Sequence, residues 1–124
     1  MNRHEIREQM MFVLYQHLLL KIDLQDCVNN NFEDKYLEDE YINIITNDIK
    51  DNEDTYISSI SSYLNKWEFN RLNYVEQAIL LLSYTEIKNK IADKAIIIDE
   101  AVIIAKKYCD DDSYKFINGV LDKL

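Results

Sequence analysis

The sequence predicts an all-α protein, a compact helical bundle of about six to seven helices. Three observations carry that reading. The 124 residues contain one glycine and no proline, and hairpins or βαβ crossovers need such breakers for their turns. Apolar residues recur at helical spacing from end to end. With 48% hydrophobic residues, the chain has enough apolar material for one real core, so a single domain over residues 1–124 is expected.

The first helix is marked by Ile6, Met10, Val13, His17 and Leu20, which repeat at i, i+4, i+7, i+11 and i+14. His17 falls on this apolar stripe and reads as a half-buried structural histidine. Leu37, Tyr41, Ile44, Ile45 and Ile49 mark a second helix, and Ile57, Ile60, Leu64 and Trp67 a third. Between Val75 and Ile87 the chain is apolar nearly all round at Ala78–Leu82, as expected of a helix in the middle of a bundle. The fifth carries Ile97, Ile98, Ala101, Val102, Ile104 and Ala105. The sixth aligns Phe116, Ile117, Val120, Leu121 and Leu124.

Caps set the boundaries. Asn73 and Glu76 have capping-box spacing. Asp93 precedes the fifth helix, and Asp110-Asp111-Asp112-Ser113 sits where it caps the sixth and favours its positive dipole end. Asn29-Asn30-Asn31 and Lys50-Asp51-Asn52 read as inter-helix loops. A lone glycine inside a helix costs about 1 kcal/mol relative to alanine, so Gly119 predicts close helix packing.

Charge and composition exclude several functions. The net charge is −9, and residues 23–60 account for all of it, with eleven acids against Lys35 and Lys50. Such a protein should not bind nucleic acid indiscriminately. Phosphate loops of the Walker or Rossmann type need glycines that are absent. His4 and His17 lie at no metal-ligand spacing with the cysteines or carboxylates, so neither a metal site nor a cofactor is expected. Cys27 and Cys109 form no CxxC pair and read as free thiols. The longest apolar run, Met10–Tyr15, is far below the ~20 residues of a membrane span. With no visible secretory leader, a soluble cytoplasmic protein that is not an enzyme is expected.

The amino terminus offers two readings, a solvated helix face and a nucleic-acid site. At about 100° per residue, Arg3, Arg7 and Leu14 share one narrow sector of the first helix, with His4, Met11 and Tyr15 beside it. A cationic strip next to an aromatic suits single-stranded RNA, with phosphates on arginine and bases on ring faces.

Longer motifs narrow this further. Asp99-Glu100-Ala101-Val102, Ala105-Lys106-Lys107-Tyr108 and the run from Asp112-Ser113 through Lys115-Phe116-Ile117-Asn118-Gly119-Val120-Leu121-Asp122-Lys123 resemble the NusB family of transcription antitermination factors. Upstream, Trp67-x-x-x-Arg71-Leu72, Val75-Glu76-Gln77-Ala78-Ile79-Leu80 and Tyr84-x-Glu86-Ile87 continue the likeness, as do Arg3-x-x-x-Arg7 and Leu14-Tyr15. Residues 23–60 match the family only in length and helicity.

The resemblance implies a fold of two three-helix subdomains dividing near residue 70, with Gly119 in the final helix against the rest of the bundle. It implies binding of boxA single-stranded RNA together with ribosomal protein NusE, in an antitermination complex with RNA polymerase on ribosomal RNA operons. It leaves a homodimer open. Carried over position by position, Arg3, His4 and Arg7 would meet phosphates, with Tyr15 beside them. Asp112, Ser113, Lys115 and Phe116 would form the second half of the RNA surface, Phe116 stacking on a base, and Glu86 would face NusE. For Phe116, plain core packing is the competing role; for Glu86, a solvated helix position. The chain departs from the family pattern at Leu81, Asp93, Asp99 and Tyr108-Cys109, and its arginine-rich start is reduced to Arg3, His4 and Arg7. Two other readings remain: an RNA-binding head of ribosomal RNA cytosine methyltransferases, and a helical interaction module without RNA binding.

Overall fold

The computed structural model describes residues 1–65 and 68–124, so Trp67, expected on the third helix, lies outside the described residues. The described residues form six α-helices and two single-turn 3₁₀ segments, with no strand among them. The helices are α1 (Arg3–Leu20), α2 (Leu24–Asn31), α3 (Glu40–Ser61), α4 (Tyr74–Lys88), α5 (Lys94–Tyr108) and α6 (Asp111–Asp122). The short 3₁₀ turns are Asp34–Tyr36 and Phe69–Arg71.

α4 is the centre of the bundle and packs against α1, α3, α5 and α6. Its residues Ala78 to Leu82 are all at most 2% exposed, which is why that stretch is apolar on every side. The helices of the first half, α1–α3, meet those of the second, α4–α6, in one continuous apolar core that draws residues from all six. Leu81, where the family pattern carries an arginine, is fully buried in this core.

Side chains of Asn and Asp start most of the helices. Asn2 and Glu5 make a reciprocal capping box on α1, and Asn73 and Glu76 make another on α4. Asp23, Asp39 and Asp110 each accept a backbone N–H three residues on, capping α2, α3 and α6. Asp93 precedes α5 as expected, but its side chain makes no capping hydrogen bond. Instead, Lys94 Nζ donates to the backbone carbonyls of Asp122 and Leu124, tying the start of α5 to the end of the chain.

Two expected loops are helical. Asn29-Asn30-Asn31 is the last turn of α2, where Asn31 Nδ2 donates to the Cys27 carbonyl at 2.7 Å and to Gln16 Oε1 at 2.9 Å. Lys50-Asp51-Asn52 lies in the middle of α3, so the second and third expected helices are one of 22 residues. Ile45, Ile49, Tyr56 and Ile60 stay buried in phase across that point. Asn52 Nδ2 donates back to the Asp48 carbonyl and carboxylate at 3.0 Å each.

Gly119 also departs from expectation. It is exposed on α6, and a Cβ built there would meet nothing within 4 Å, so no helix packs closely on it.

His17 clasps the first half of the bundle. Its Nδ1 lies 2.5 Å from the Ile22 carbonyl oxygen and its Nε2 lies 2.6 Å from Glu53 Oε1 on α3. Both neighbours only accept, so the protonated ring, with both nitrogens donating, is the form this setting favours. The Glu53 hydrogen bond raises the His17 pKa above its ordinary 6.5. Burial opposes the shift, while the Ile22 carbonyl and the charges of Glu53 and Asp23 add to it. A raised folded-state pKa adds stability that is fully present below the unfolded value, about 6.5, and is lost as pH rises through the folded value. Thermal melts from pH ~5.5 to ~8.5 should therefore show a fall toward alkaline pH that His17→Gln flattens. An identical pH profile for parent and variant would assign the slope to other groups.

Candidate nucleic-acid interface

The three basic residues at the start of α1 have separate fates. Arg3 is exposed, its guanidinium 4.3 Å from the centre of the Tyr41 ring. His4 is half-buried, with Nδ1 2.6 Å from Glu100 Oε2 on α5. Arg7 is buried at 5% exposure and grips Glu86 of α4, itself 1% exposed. Its Nε donates to the two Glu86 oxygens at 2.9 and 3.1 Å, and its Nη2 donates to Oε1 at 2.7 Å. Burial works against the Arg7 charge, but hydrogen bonding to Glu86 and the charge of Glu86 outweigh it, leaving the guanidinium pKa above its usual value.

This geometry corrects two expectations. Arg7 is turned inward and offers nothing to a phosphate, and Glu86 is its buried counter-ion rather than a surface contact for a partner. The cause is helical phase: Arg7 shares its sector with Leu14, which is fully buried. A neighbouring network holds the α1–α5 seam, where Arg7 Nη1 approaches Glu100 Oε2 at 3.8 Å. Farther along, Lys107 Nζ donates to Glu8 Oε1 at 2.9 Å and the Tyr108 hydroxyl also donates to Glu8.

The remaining site residues gather at the other end of α1. Tyr15 lines a concavity of about 520 Å³ together with Tyr74, Tyr108, Cys109 and Asp110. Through Leu72, Asn73, Asp110 and Ser113 this concavity runs into a second, of about 410 Å³, walled by Arg71, Glu76, Asp112 and Phe116. The half-buried Phe116 is shared with a third, of about 460 Å³, lined by Tyr63, Asn65, Lys115, Gly119 and Lys123. The three make one groove across the ends of α1, α4 and α5 and along α6. The missing side chain of Gly119 leaves its floor open.

Within the groove, Ser113 is structural. Its backbone N–H donates to Asp110 Oδ1 at 2.9 Å and its hydroxyl donates to Glu76 Oε2 at 2.8 Å, joining the starts of α6 and α4. At 7% exposure, its hydroxyl donates within the fold, while the residue still lines two of the concavities. Asp112 and Lys115 are exposed. Arg3 stands twelve residues before Tyr15 on α1, about 18 Å at helical rise, and lines none of the three concavities. Sequence reasoning did not assign Arg71, Tyr74, Tyr108 or Lys123 to the site. The readable signal was the density of tyrosines beside the caps of α4 and α6.

Cys27 is buried, Cys109 is half-buried at the groove wall, and both are free thiols. No described helix is long and apolar enough to cross a membrane.

Comparisons with known proteins agree with this architecture. A transcription antitermination protein NusB of Staphylococcus carnosus is 37% identical, over 100% of this chain and 99% of the relative. One from Campylobacter hominis is 33% identical, over 99% and 95%. A crystal form of T. maritima NusB superposes with a TM-score of 0.84 at 32% identity, covering 99% of this chain and 89% of that one. A crystal structure of antitermination factors NusB and NusE in complex with dsRNA matches with a TM-score of 0.73 at 26% identity, covering 99% and 96%. With the NusB family profile matching residues 4–124 as well, the chain belongs to the NusB family.

Proposed function

We propose that the chain is a cytoplasmic, non-enzymatic transcription antitermination factor. It binds boxA single-stranded RNA together with ribosomal protein NusE and delivers that complex to RNA polymerase. The observation that supports this most is the continuous groove from Tyr15 through Phe116 to Lys115 and Lys123. Ring faces line one end and cations join Phe116 toward the other, the combination that holds single strands. The structure of NusB and NusE in complex with dsRNA supports the RNA and NusE parts of this reading.

Of the expected RNA residues, Arg3, His4, Tyr15, Asp112, Lys115 and Phe116 keep a role here. Phe116 is the stacking residue, Lys115 meets phosphates, and Arg3 steers the strand toward the groove. Arg71 takes the place that Arg7 leaves empty. NusE meets exposed residues, Glu86 being enclosed. The cations are few and stand among the carboxylates of Glu76, Asp110 and Asp112, so stacking carries much of the affinity.

The test is a titration of labelled boxA RNA, with and without NusE, at several salt concentrations. Each phosphate neutralised on a single strand contributes a log–log slope of about −0.7. Arg71, Lys115 and Lys123 together give a slope of roughly −2. Absence of binding in both arms would overturn the function, and a salt-independent affinity would remove the cations from it.

A further inference from the structure

We infer that Tyr74 is a second base-stacking residue, holding a nucleobase at the Tyr15 end of the groove while Phe116 holds one at the other. The inference rests on the RNA-binding reading above. Tyr74 opens α4 and is 38% exposed, one of the large apolar side chains the fold leaves in solvent. It stands beside Tyr15 and Tyr108 in the 520 Å³ concavity, which is continuous with the cavity holding Phe116.

The chemistry of that concavity selects its occupant. Three tyrosines and Val75 supply apolar faces, Asp110 contributes a carboxylate, and no lysine or arginine is among its described lining residues. A phosphate would find no counter-charge there, whereas a base offers a flat face to an aromatic ring. The strand therefore turns its bases inward at this end and carries its phosphates toward Arg71, Lys115 and Lys123.

The rings differ in what they can give. The Tyr108 hydroxyl donates to Glu8, and its ring meets Phe12 edge-on with centroids 4.9 Å apart. Tyr15 is half-buried and packs against the core. Tyr108 is nearly as exposed as Tyr74, at 37%, but its ring is held edge-on by Phe12 and its hydroxyl by Glu8. It therefore serves with Tyr15 as a wall, and Tyr74 is left to stack.

The test compares the full-length parent with Tyr74→Leu and Tyr74→Phe, using boxA RNA in the presence of NusE. A single-strand stacking contact corresponds to a loss of roughly five- to 150-fold. Tyr74→Leu should therefore weaken binding at least about fivefold, with an unchanged salt slope and an unchanged melting temperature. Tyr74→Phe should bind as the parent does. RNA carrying 2-aminopurine should show quenching by the parent that Tyr74→Leu loses at saturation. Equal affinity of Tyr74→Leu and parent, with Phe116→Ala still weakened, would overturn this inference and leave the RNA reading standing. So would equal losses in the Leu and Phe variants, or a fall in melting temperature that accounts for the loss. If the parent itself binds no boxA RNA, both readings fall together.

Discussion

Glu86→Leu should lower the stability of the protein by about 3–5 kcal/mol, read as a shift in the urea midpoint at unchanged m-value. The loss comes from what stays behind. Arg7, 5% exposed on α1, would keep its charge without the carboxylate that accepts three hydrogen-bond contacts from it. Glu100, at 3.8 Å from Nη1, is too far to replace it. Replacing both partners by apolar residues of similar volume, Arg7→Met with Glu86→Leu, removes the stranded charge. The double variant should therefore recover most of the loss, since exchanging a buried pair for packed hydrophobes is often neutral or stabilising by about 1–4 kcal/mol. A single substitution costing less than ~1 kcal/mol, within the range of ordinary surface changes, would mean that solvent reaches the pair. Because α1 carries Tyr15 at one end and Arg3 at the other, this buried clamp fixes the helix on which both are mounted.

Phe116→Ala should weaken boxA binding by about 1–3 kcal/mol, the range for one base stacked on an aromatic ring. The ring is half-buried, separates two of the three concavities and packs against the core. Its removal therefore also costs part of the ~3–5 kcal/mol of a fully buried phenylalanine. Melting curves recorded beside the titration separate the two effects. Saturable folding at the assay temperature with lost RNA affinity identifies the ring as a contact. Binding that recovers fully once the folded fraction is corrected would make Phe116 a core residue only.

Much of the architecture was legible in the sequence. α1, α4, α5 and α6 follow from apolar spacing alone, and the capping box of Asn73 and Glu76 is present as its spacing implies. The region between residues 24 and 61 was misdivided for a physical reason. Asn and Asp favour turns because their side chains compete for backbone hydrogen bonds. In Asn31 and Asn52 the same side chains bond to carbonyls four residues back within a helix. With no glycine or proline to break the helix there, the apolar phase prevailed.

The C-terminal motif led to residues that line the groove, Asp112, Lys115 and Phe116, while Arg7 and Glu86 were misjudged. Arg7 was placed by charge, although its sector also held Leu14, and apolar phase decides which way a helix face turns. Glu86 carried the complementary clue, an acid away from the capping turn of the most buried helix, where a carboxylate needs a cation. The groove itself could not be read from spacing, because it is made where the ends of α4 and α5 meet α1 and α6. Tyr74 and Tyr108 are 34 positions apart in the chain and share one wall only in the folded protein.

The division of charge along the chain has a consequence for encounter. Residues 23–60, which carry the whole net charge of −9, contribute no lining residue to any of the three concavities. An approaching polyanion is therefore repelled more strongly from α2 and α3 than from the charge-balanced remainder of the chain, which holds the groove. Such an uneven charge distribution narrows the rotational search of a diffusing RNA by exclusion, with the acidic segment as a guard. Salt shortens the reach of that guard, to about 8 Å at physiological ionic strength. At low salt, RNA in flight is turned toward the groove before contact, and at high salt the strand must find it by collision.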